Sequence, residues 1–401
     1  MVQTIKNTYP MRNKILSIIA LASCMAVSAQ EICIINGSVA DSQLSDGKKV
    51  KKVYLTHTNE FGIETTVATA KVKKDRYTFK YQLTPDEPVM QYTITGFGDS
   101  QGIALFVEPG EIAVTTPSAV HPELSTVKGT PTNDTYTAYK AIAHEATCEV
   151  ARQIAALEQQ HGKEWLESKE GKSAIKRIKA SESINAESQS LRFLIDHHDS
   201  PMTPLVAEQT LLPKFSAAYA EQITKSISLS LQDHPYYHSL RNTMLANSLK
   251  VGNEAPDITL PMLTGEIEHL TDYRGKYILL HFWTEGEKCA DTFAELQRVY
   301  EVIKQYPEQF MLLSISLDSD ASAWKKAVKS YGIAHETWLH ACDGVGTESP
   351  AAKRYGIKGT PQIVFIEPEG HAISLDMELD EITMRIEQIL MGDLYYLDQE
   401  K

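Results

Sequence analysis

Cys289 is the residue of this 401-residue chain whose type and setting most directly suggest chemistry. It stands in the run Phe282-Trp283-Thr284-Glu285-Gly286-Glu287-Lys288-Cys289-Ala290-Asp291, where an apolar strand-like segment gives way to a helical pattern. At a helix N-terminus the unpaired amides and the positive end of the dipole lower a thiol's pKa, and the resulting thiolate can attack a disulfide. Lys288 acts in the same direction, while Glu285 and Glu287 act against it. Only one thiol is present. No Cys-x-x-Cys pair occurs anywhere, so the sequence indicates neither a zinc site nor a dense disulfide framework.

Other residues could support or bypass that thiol. His281 could relay a proton to Cys289; the alternative is a core histidine bonded to backbone. Cys342 is a possible disulfide partner of Cys289 in an oxidising compartment, or a lone thiol in a loop. Cys33 and Cys148 fall in strand-like and helix-like segments and are expected to be buried apolar residues. The histidines of His197-His198-Asp199 and His234-Pro235-Tyr236-Tyr237-His238 lack a metal-ligand spacing and are expected at solvated helix ends. No metal and no cofactor is expected.

The elements that must position these residues follow from periodicity. From Glu31 to Lys128 short alternating runs recur every eight to twelve residues, with turn residues such as Asp46-Gly47 and Pro109-Gly110 between them, as in an antiparallel β-sandwich. Helical spacing takes over from Asn133 to Leu249, divided by Gly162, Pro201, Pro204, Pro213 and Pro235 into a helical connector. From Val251 strands alternate with helices: Tyr277 to Trp283, Ala290 to Lys304, Phe310 to Leu317, Ala321 to Ser330, Gln362 to Ile366 and Asp380 to Leu390. That order argues for an α/β sheet with parallel pairs. The chain is thus expected to be multidomain α+β, divided as 1–29, 30–130, 131–249 and 250–401.

Residues 1–29 read as a secretory signal peptide. Arg12 and Lys14 precede an apolar run that ends in the small residues Val27 and Ala29, with cleavage expected after Ala29. Leu21-Ala22-Ser23-Cys24 also fits a lipoprotein box, which makes Cys24 a lipidation candidate. Removing this segment, with three basic and no acidic residues, takes the formal charge from −13 to −16 (36 basic against 52 acidic). So acidic a surface repels phosphate backbones, which excludes nucleic acid as a partner class. Membrane association is expected only through a lipid on Cys24, and the location expected is the periplasm or the cell envelope.

Two sets of motifs carry a family resemblance. Val251-Gly252-Asn253-Glu254-Ala255-Pro256-Asp257, Leu270-Thr271-Asp272-Tyr273-Arg274-Gly275-Lys276-Tyr277 and His281-Phe282-Trp283, followed by Ala351-Ala352-Lys353-Arg354-Tyr355-Gly356-Ile357-Lys358-Gly359-Thr360-Pro361, resemble periplasmic TlpA-like thiol-disulfide oxidoreductases of the thioredoxin superfamily. Phe106-Val107-Glu108-Pro109-Gly110-Glu111 and Val127-Lys128-Gly129-Thr130-Pro131-Thr132-Asn133 look like the β-rich domain often fused ahead of such modules. The resemblance implies a C-terminal thioredoxin fold with a cis-proline at Pro361. It also implies a Cys-x-x-Cys motif at the helix start, and here the motif is degenerate. Counted back from Leu296, Cys289 falls on the second cysteine, the resolving thiol of a mixed disulfide, and Gly286 or Glu287 takes the place of the attacking one. Position 281, acidic or Asn in active relatives, is His281.

The resemblance implies that Trp283, Glu287, Thr360 and Pro361 meet a substrate. The expected function is an exported thioredoxin-fold protein with a redox-impaired site that binds polypeptide or thiol partners. Two alternatives stand beside it: a monothiol oxidoreductase using Cys289, alone or with Cys342, and a non-catalytic envelope scaffold.

Overall fold

Alternating apolar residues build the first third of the chain. A computed structural model of the protein describes residues 32–98, 100–213, 217–286 and 289–392. Eight strands come first: β1 (Ile32–Val39), β2 (Lys52–Thr58), β3 (Glu64–Lys71), β4 (Arg76–Gln82), β5 (Met90–Thr95), β6 (Ile103–Val107), β7 (Gly110–Thr116) and β8 (Thr126–Lys128). They form two four-stranded sheets, ordered β4-β1-β7-β8 and β3-β2-β5-β6. Because side chains alternate across a strand, Cys33, Ile35, Phe79 and Val114 of one sheet meet Val53, Leu55, Ile94 and Leu105 of the other in one core. The sandwich has one parallel pairing, β1 with β7, which sets Cys33 opposite Gly110; its other pairings are antiparallel.

The two N-terminal motifs meet where the sandwich gives way to helix. α1 (Pro131–His161) begins immediately after β8, and its first amides need acceptors. Buried Glu108 supplies them, accepting from Thr132 N–H at 2.9 Å and Thr132 Oγ1 at 2.8 Å. Asn133 returns the contact: its Oδ1 accepts from Phe106 N–H at 2.9 Å, and its Nδ2 donates to Phe106 O at 2.7 Å. A negative charge at a helix N-terminus is favourable, so this junction joins the strand β6 to the connector.

Gly162, at φ 84°, ends α1. Then follow α2 (Lys163–Glu167), α3 (Lys169–Asp196), α4 (Met202–Val206), α5 (Ala217–Ser226) and α6 (Pro235–Asn247). α1 and α3 pair as a long arm, about 46 Å at 1.5 Å per residue, tied midway by Gln153 Nε2 donating to Glu182 Oε1 at 2.9 Å. Pro204, expected to break a helix, lies inside α4 instead; in a first turn the missing N–H would have had no intrahelical partner. His234 is no simple solvated helix end, because it caps α6 and its Nε2 lies 3.2 Å from Val89 O of the sandwich.

The last third folds as β9 (Thr259–Pro261), β10 (Ile267–His269), β11 (Tyr277–Trp283), α7 (Cys289–Ile303), β12 (Phe310–Ser316), α8 (Ala321–Ser330), β13 (Trp338–Cys342), α9 (Pro350–Arg354), β14 (Gln362–Ile366), β15 (Ala372–Ser374) and α10 (Leu379–Leu390). The main sheet runs β13-β12-β11-β14-β15. Its first three strands are parallel, and β14 and β15 are antiparallel additions. The unbroken apolar run of β11 reflects burial on both faces. Leu279 and Trp283 pack toward α7, α8 and α10, while Ile278, Leu280 and Phe282 pack toward β9 and α9. Phe293, Leu296, Val299, Tyr300 and Ile303 give α7 one buried stripe at helical spacing. Full burial of Leu296 contributes roughly 1.5–3 kcal/mol.

Candidate redox site

The site lies where the parallel strands end. β11 delivers Thr284, whose Oγ1 is 2.6 Å from Thr360 Oγ1, and the Thr360–Pro361 bond is cis, as the motif implied. The next amide, Glu285 N–H, donates to both carboxylate oxygens of Asp318 at 3.2 and 3.3 Å. Asp318 follows β12 and also accepts from Ser316 Oγ at 2.7 Å. The segment leaving β11 is therefore held on two flanks, by the approach to β14 and by the end of β12. Beyond it α7 opens at Cys289. The side chain of Cys289, together with Glu287, Lys288, Cys24 and the 1–29 segment, lies outside the described residues.

Pro361 is exposed and borders a cleft of about 460 Å³ that also includes Asp291, Ala294, Glu295, Arg298 and Leu379. Asp291, Ala294/Glu295 and Arg298 lie three to four residues apart and so share one face of α7. Trp283, expected among the substrate contacts, is only 1% exposed and packs edge-to-face on Phe293, with ring centroids 4.9 Å apart. Its indole is a wall of the core and offers no surface.

His281 is fully buried, and it is bonded neither to backbone nor to a described thiol. Its Nδ1 shares a hydrogen bond of 3.2 Å with Ser314 Oγ, which also accepts from Trp338 Nε1 at 2.9 Å. Its Nε2 has no partner among the described residues, and Phe293 stands edge-on to the ring at 5.5 Å. The pairing register runs His281, Ser314, His340 across three strands. Burial, helped by the neighbouring His340, pushes the pKa of His281 down to about 3, so the ring is neutral at ordinary pH. Burial likewise lowers His340 to about 4.

Cys342 is the last residue of β13 and not part of a loop. It is a buried free thiol whose Sγ donates to Asp318 O at 3.5 Å, and burial raises its pKa. In the sheet order it lies two strands from β11 on one side, whereas Pro361 leads into β14 on the other. Three inter-strand steps of about 4.8 Å put these flanks roughly 14 Å apart. Cys33 is buried and its thiol is pushed up to about 11 by desolvation. Cys148 is exposed, contrary to expectation, because its side of α1 is turned to solvent; its Sγ is 3.6 Å from His144 Nε2. No cluster of three or more His, Cys, Asp or Glu that could hold a metal occurs among the described residues.

Sequence reasoning missed Asp318, Thr284 and Ser314. A usable signal existed for Asp318, since loops after the carboxyl ends of parallel strands gather at sites in open α/β sheets.

The parallel strand order, the helix opening at Cys289 and the cis-proline beside it define a thioredoxin-like redox module. Residues 275–372 match the family described as thioredoxin-like, and residues 33–136 match a domain of unknown function, DUF4369. The chain belongs to the thioredoxin-like thiol-disulfide oxidoreductases. It is similar to thiol-disulfide oxidoreductase ResA of Bacillus thuringiensis subsp. konkukian, 30% identical over 127 residues that span 31% of this chain and 68% of the relative. ResA of Geobacillus thermodenitrificans is 27% identical over 146 residues, 35% of this chain and 79% of the relative. A solved thiol-disulfide oxidoreductase from Bacteroides fragilis shares 30% identity, covering 34% of this chain and 99% of that one, with a TM-score of 0.32.

Proposed function

We propose that this protein is an exported thioredoxin-fold protein whose redox centre retains a single cysteine, and that it binds polypeptide or thiol partners in the cell envelope along the Pro361 edge. One observation carries the reading: Cys289 is the only cysteine between Thr284 and Ile303, a stretch where the family motif calls for two. Without a second thiol beside it, a mixed disulfide on Cys289 has no internal group to resolve it. Cys342 is a poor substitute, being buried and raised in pKa. His281 is a poor relay, since burial holds its pKa down to about 3 and its Nδ1 is engaged by Ser314. Thr360, Pro361 and Glu287 then serve binding. The division into a signal at 1–29, a sandwich at 30–130, a connector at 131–249 and a redox-like module at 250–401 belongs to the same proposal, as does lipidation at Cys24 in place of cleavage after Ala29. No helix among the described residues is long and apolar enough to cross a membrane.

The place of Cys289 as the first residue of α7 favours a second reading, in which its thiolate attacks a disulfide, forms a mixed disulfide and releases the other half as thiolate. Insulin reduction by dithiothreitol separates the two. The first reading expects the same rate with the protein, with Cys289→Ser and with buffer alone. Turnover that requires Cys289 would defeat it and establish the monothiol enzyme.

A further inference from the structure

One end of the sandwich carries a charge opposite to that of the chain. Lys48-Lys49-Val50-Lys51-Lys52, leading into β2, and Lys71-Val72-Lys73-Lys74-Asp75-Arg76, leading from β3 into β4, lie side by side: Val72 N–H donates to Lys51 O at 2.9 Å, and Lys52 stands opposite Lys71 in the register. With Asp46 just before them, the two runs hold eight basic residues against two acidic ones, a local +6 in a chain of −13. All eight are exposed, and apart from Lys48, which pairs with Asp46, none has an ion-pair partner among the described residues. Two features of the patch work against folding. Like charges directly opposite in an antiparallel pair repel, as Lys52 and Lys71 do. Lys74, at φ 50°, takes the first of two positive-φ positions in the Lys73–Arg76 turn, where Asn, Asp or Gly is the easier residue. Positive charge kept against local preference points to a role outside the fold.

The partner of such a surface must be negative and must reach it without meeting the acidic remainder of the chain. Seven lysines and one arginine suit a diffuse field over many charges better than a fork fitted to one phosphate. A long polyanion laid along the β2–β3 hairpin would run into exposed Glu60 and Glu64 at its far end, about 20 Å away at 3.3 Å per residue. A flat anionic layer meeting the sandwich end-on touches the patch alone, because exposed charges beyond roughly 8 Å are screened at physiological ionic strength. Tyr54, 37% exposed and on the same outward side of β2 as Lys52, adds an amphipathic ring of the kind favoured at a lipid–water boundary. We propose that this end of the sandwich is a docking face for an anionic lipid bilayer, with its lysines held over the headgroup phosphates. The contact needs no lipid on Cys24.

Co-sedimentation of the full chain with vesicles of phosphatidylcholine, alone or with about 30% phosphatidylglycerol, tests it at about 20 and 200 mM salt. Partitioning onto the anionic vesicles is expected to exceed that onto the neutral ones by about tenfold or more at low salt, and to fall at high salt. Lys52→Gln with Lys71→Gln and Lys73→Gln should weaken it by about threefold to fivefold for each lysine removed. Lys52→Arg with Lys71→Arg and Lys73→Arg should preserve it. The Gln variant loses the Lys52–Lys71 repulsion, so its thermal midpoint should not fall below that of the native chain, and its lost binding reads charge. Lys325→Gln with Lys326→Gln and Lys329→Gln, on α8, removes the same charge outside the sandwich and should change partitioning by less than about twofold. Equal partitioning onto the two kinds of vesicle, equal effects of the two Gln variants, or competition by inorganic phosphate beyond that of chloride at equal ionic strength would overturn the proposal. So would self-association that the patch variant abolishes, which would assign the face to a second copy, or equally tight binding of a single-stranded oligonucleotide.

Discussion

Replacing His281 by Asn should flatten the acid sensitivity of the C-terminal domain. His281 has a folded-state pKa near 3, against 6.5 when unfolded. As pH falls the unfolded chain therefore takes the proton first, which draws the equilibrium toward unfolding. The contribution to stability is intact above the unfolded value and declines from there down to about pH 3. Between pH 6.5 and pH 5 the shortfall is roughly 1.5 pH units at 1.36 kcal/mol each, about 2 kcal/mol. His340 titrates in the same direction but is present in both proteins and cancels in the comparison. Urea unfolding at pH 7 and pH 5, followed by tryptophan fluorescence, reads the relevant domain because Trp283, Trp324 and Trp338 all lie in its core. The native protein should lose about 2 kcal/mol more than His281→Asn over that interval. Equal losses would refute the assignment of a neutral, desolvated imidazole, whatever the absolute stability of the variant.

Three other outcomes follow from the packing. Glu108→Ala strands the Thr132 and Asn133 donors at the start of α1 and should destabilise the N-terminal half by about 1–3 kcal/mol, seen by calorimetry; an unchanged transition would show that the junction is dispensable. Leu296→Ala should cost about 2–5 kcal/mol, while Glu301→Ala on the exposed face of α7 should stay within about 0.5 kcal/mol, both measured by urea unfolding, and equal effects would contradict the buried stripe. Iodoacetamide followed by mass spectrometry should label Cys148 in the native protein but reach Cys33 and Cys342 only in denaturant. Native labelling of Cys342 would show that β13 does not shield it.

Local pattern made much of the fold legible. Alternation from Cys33 to Val39 and the spacing of Phe293, Leu296, Val299, Tyr300 and Ile303 are consequences of backbone geometry within one element, and neighbouring residues suffice to reveal them. The same pattern says which residues share a face, but not whether that face is covered. Cys148 illustrates the difference, since its helix was apparent and its exposure depends on how the arm stands from the body. Cys342 shows it again: a five-residue strand containing His340 has too weak an alternation to be told from a loop.

By itself the sequence determined that a lone thiol begins a helix after an apolar strand, and that the fold around it is thioredoxin-like. Only the tertiary structure decided what surrounds that helix start. Thr284 meets Thr360 across 76 residues of chain, and the Glu285 amide meets Asp318 across 33. Cys342 and Pro361 are sent to opposite flanks by the strand order β13-β12-β11-β14. Such contacts depend on sheet order and register, which long-range burial selects and which no local run of residues encodes.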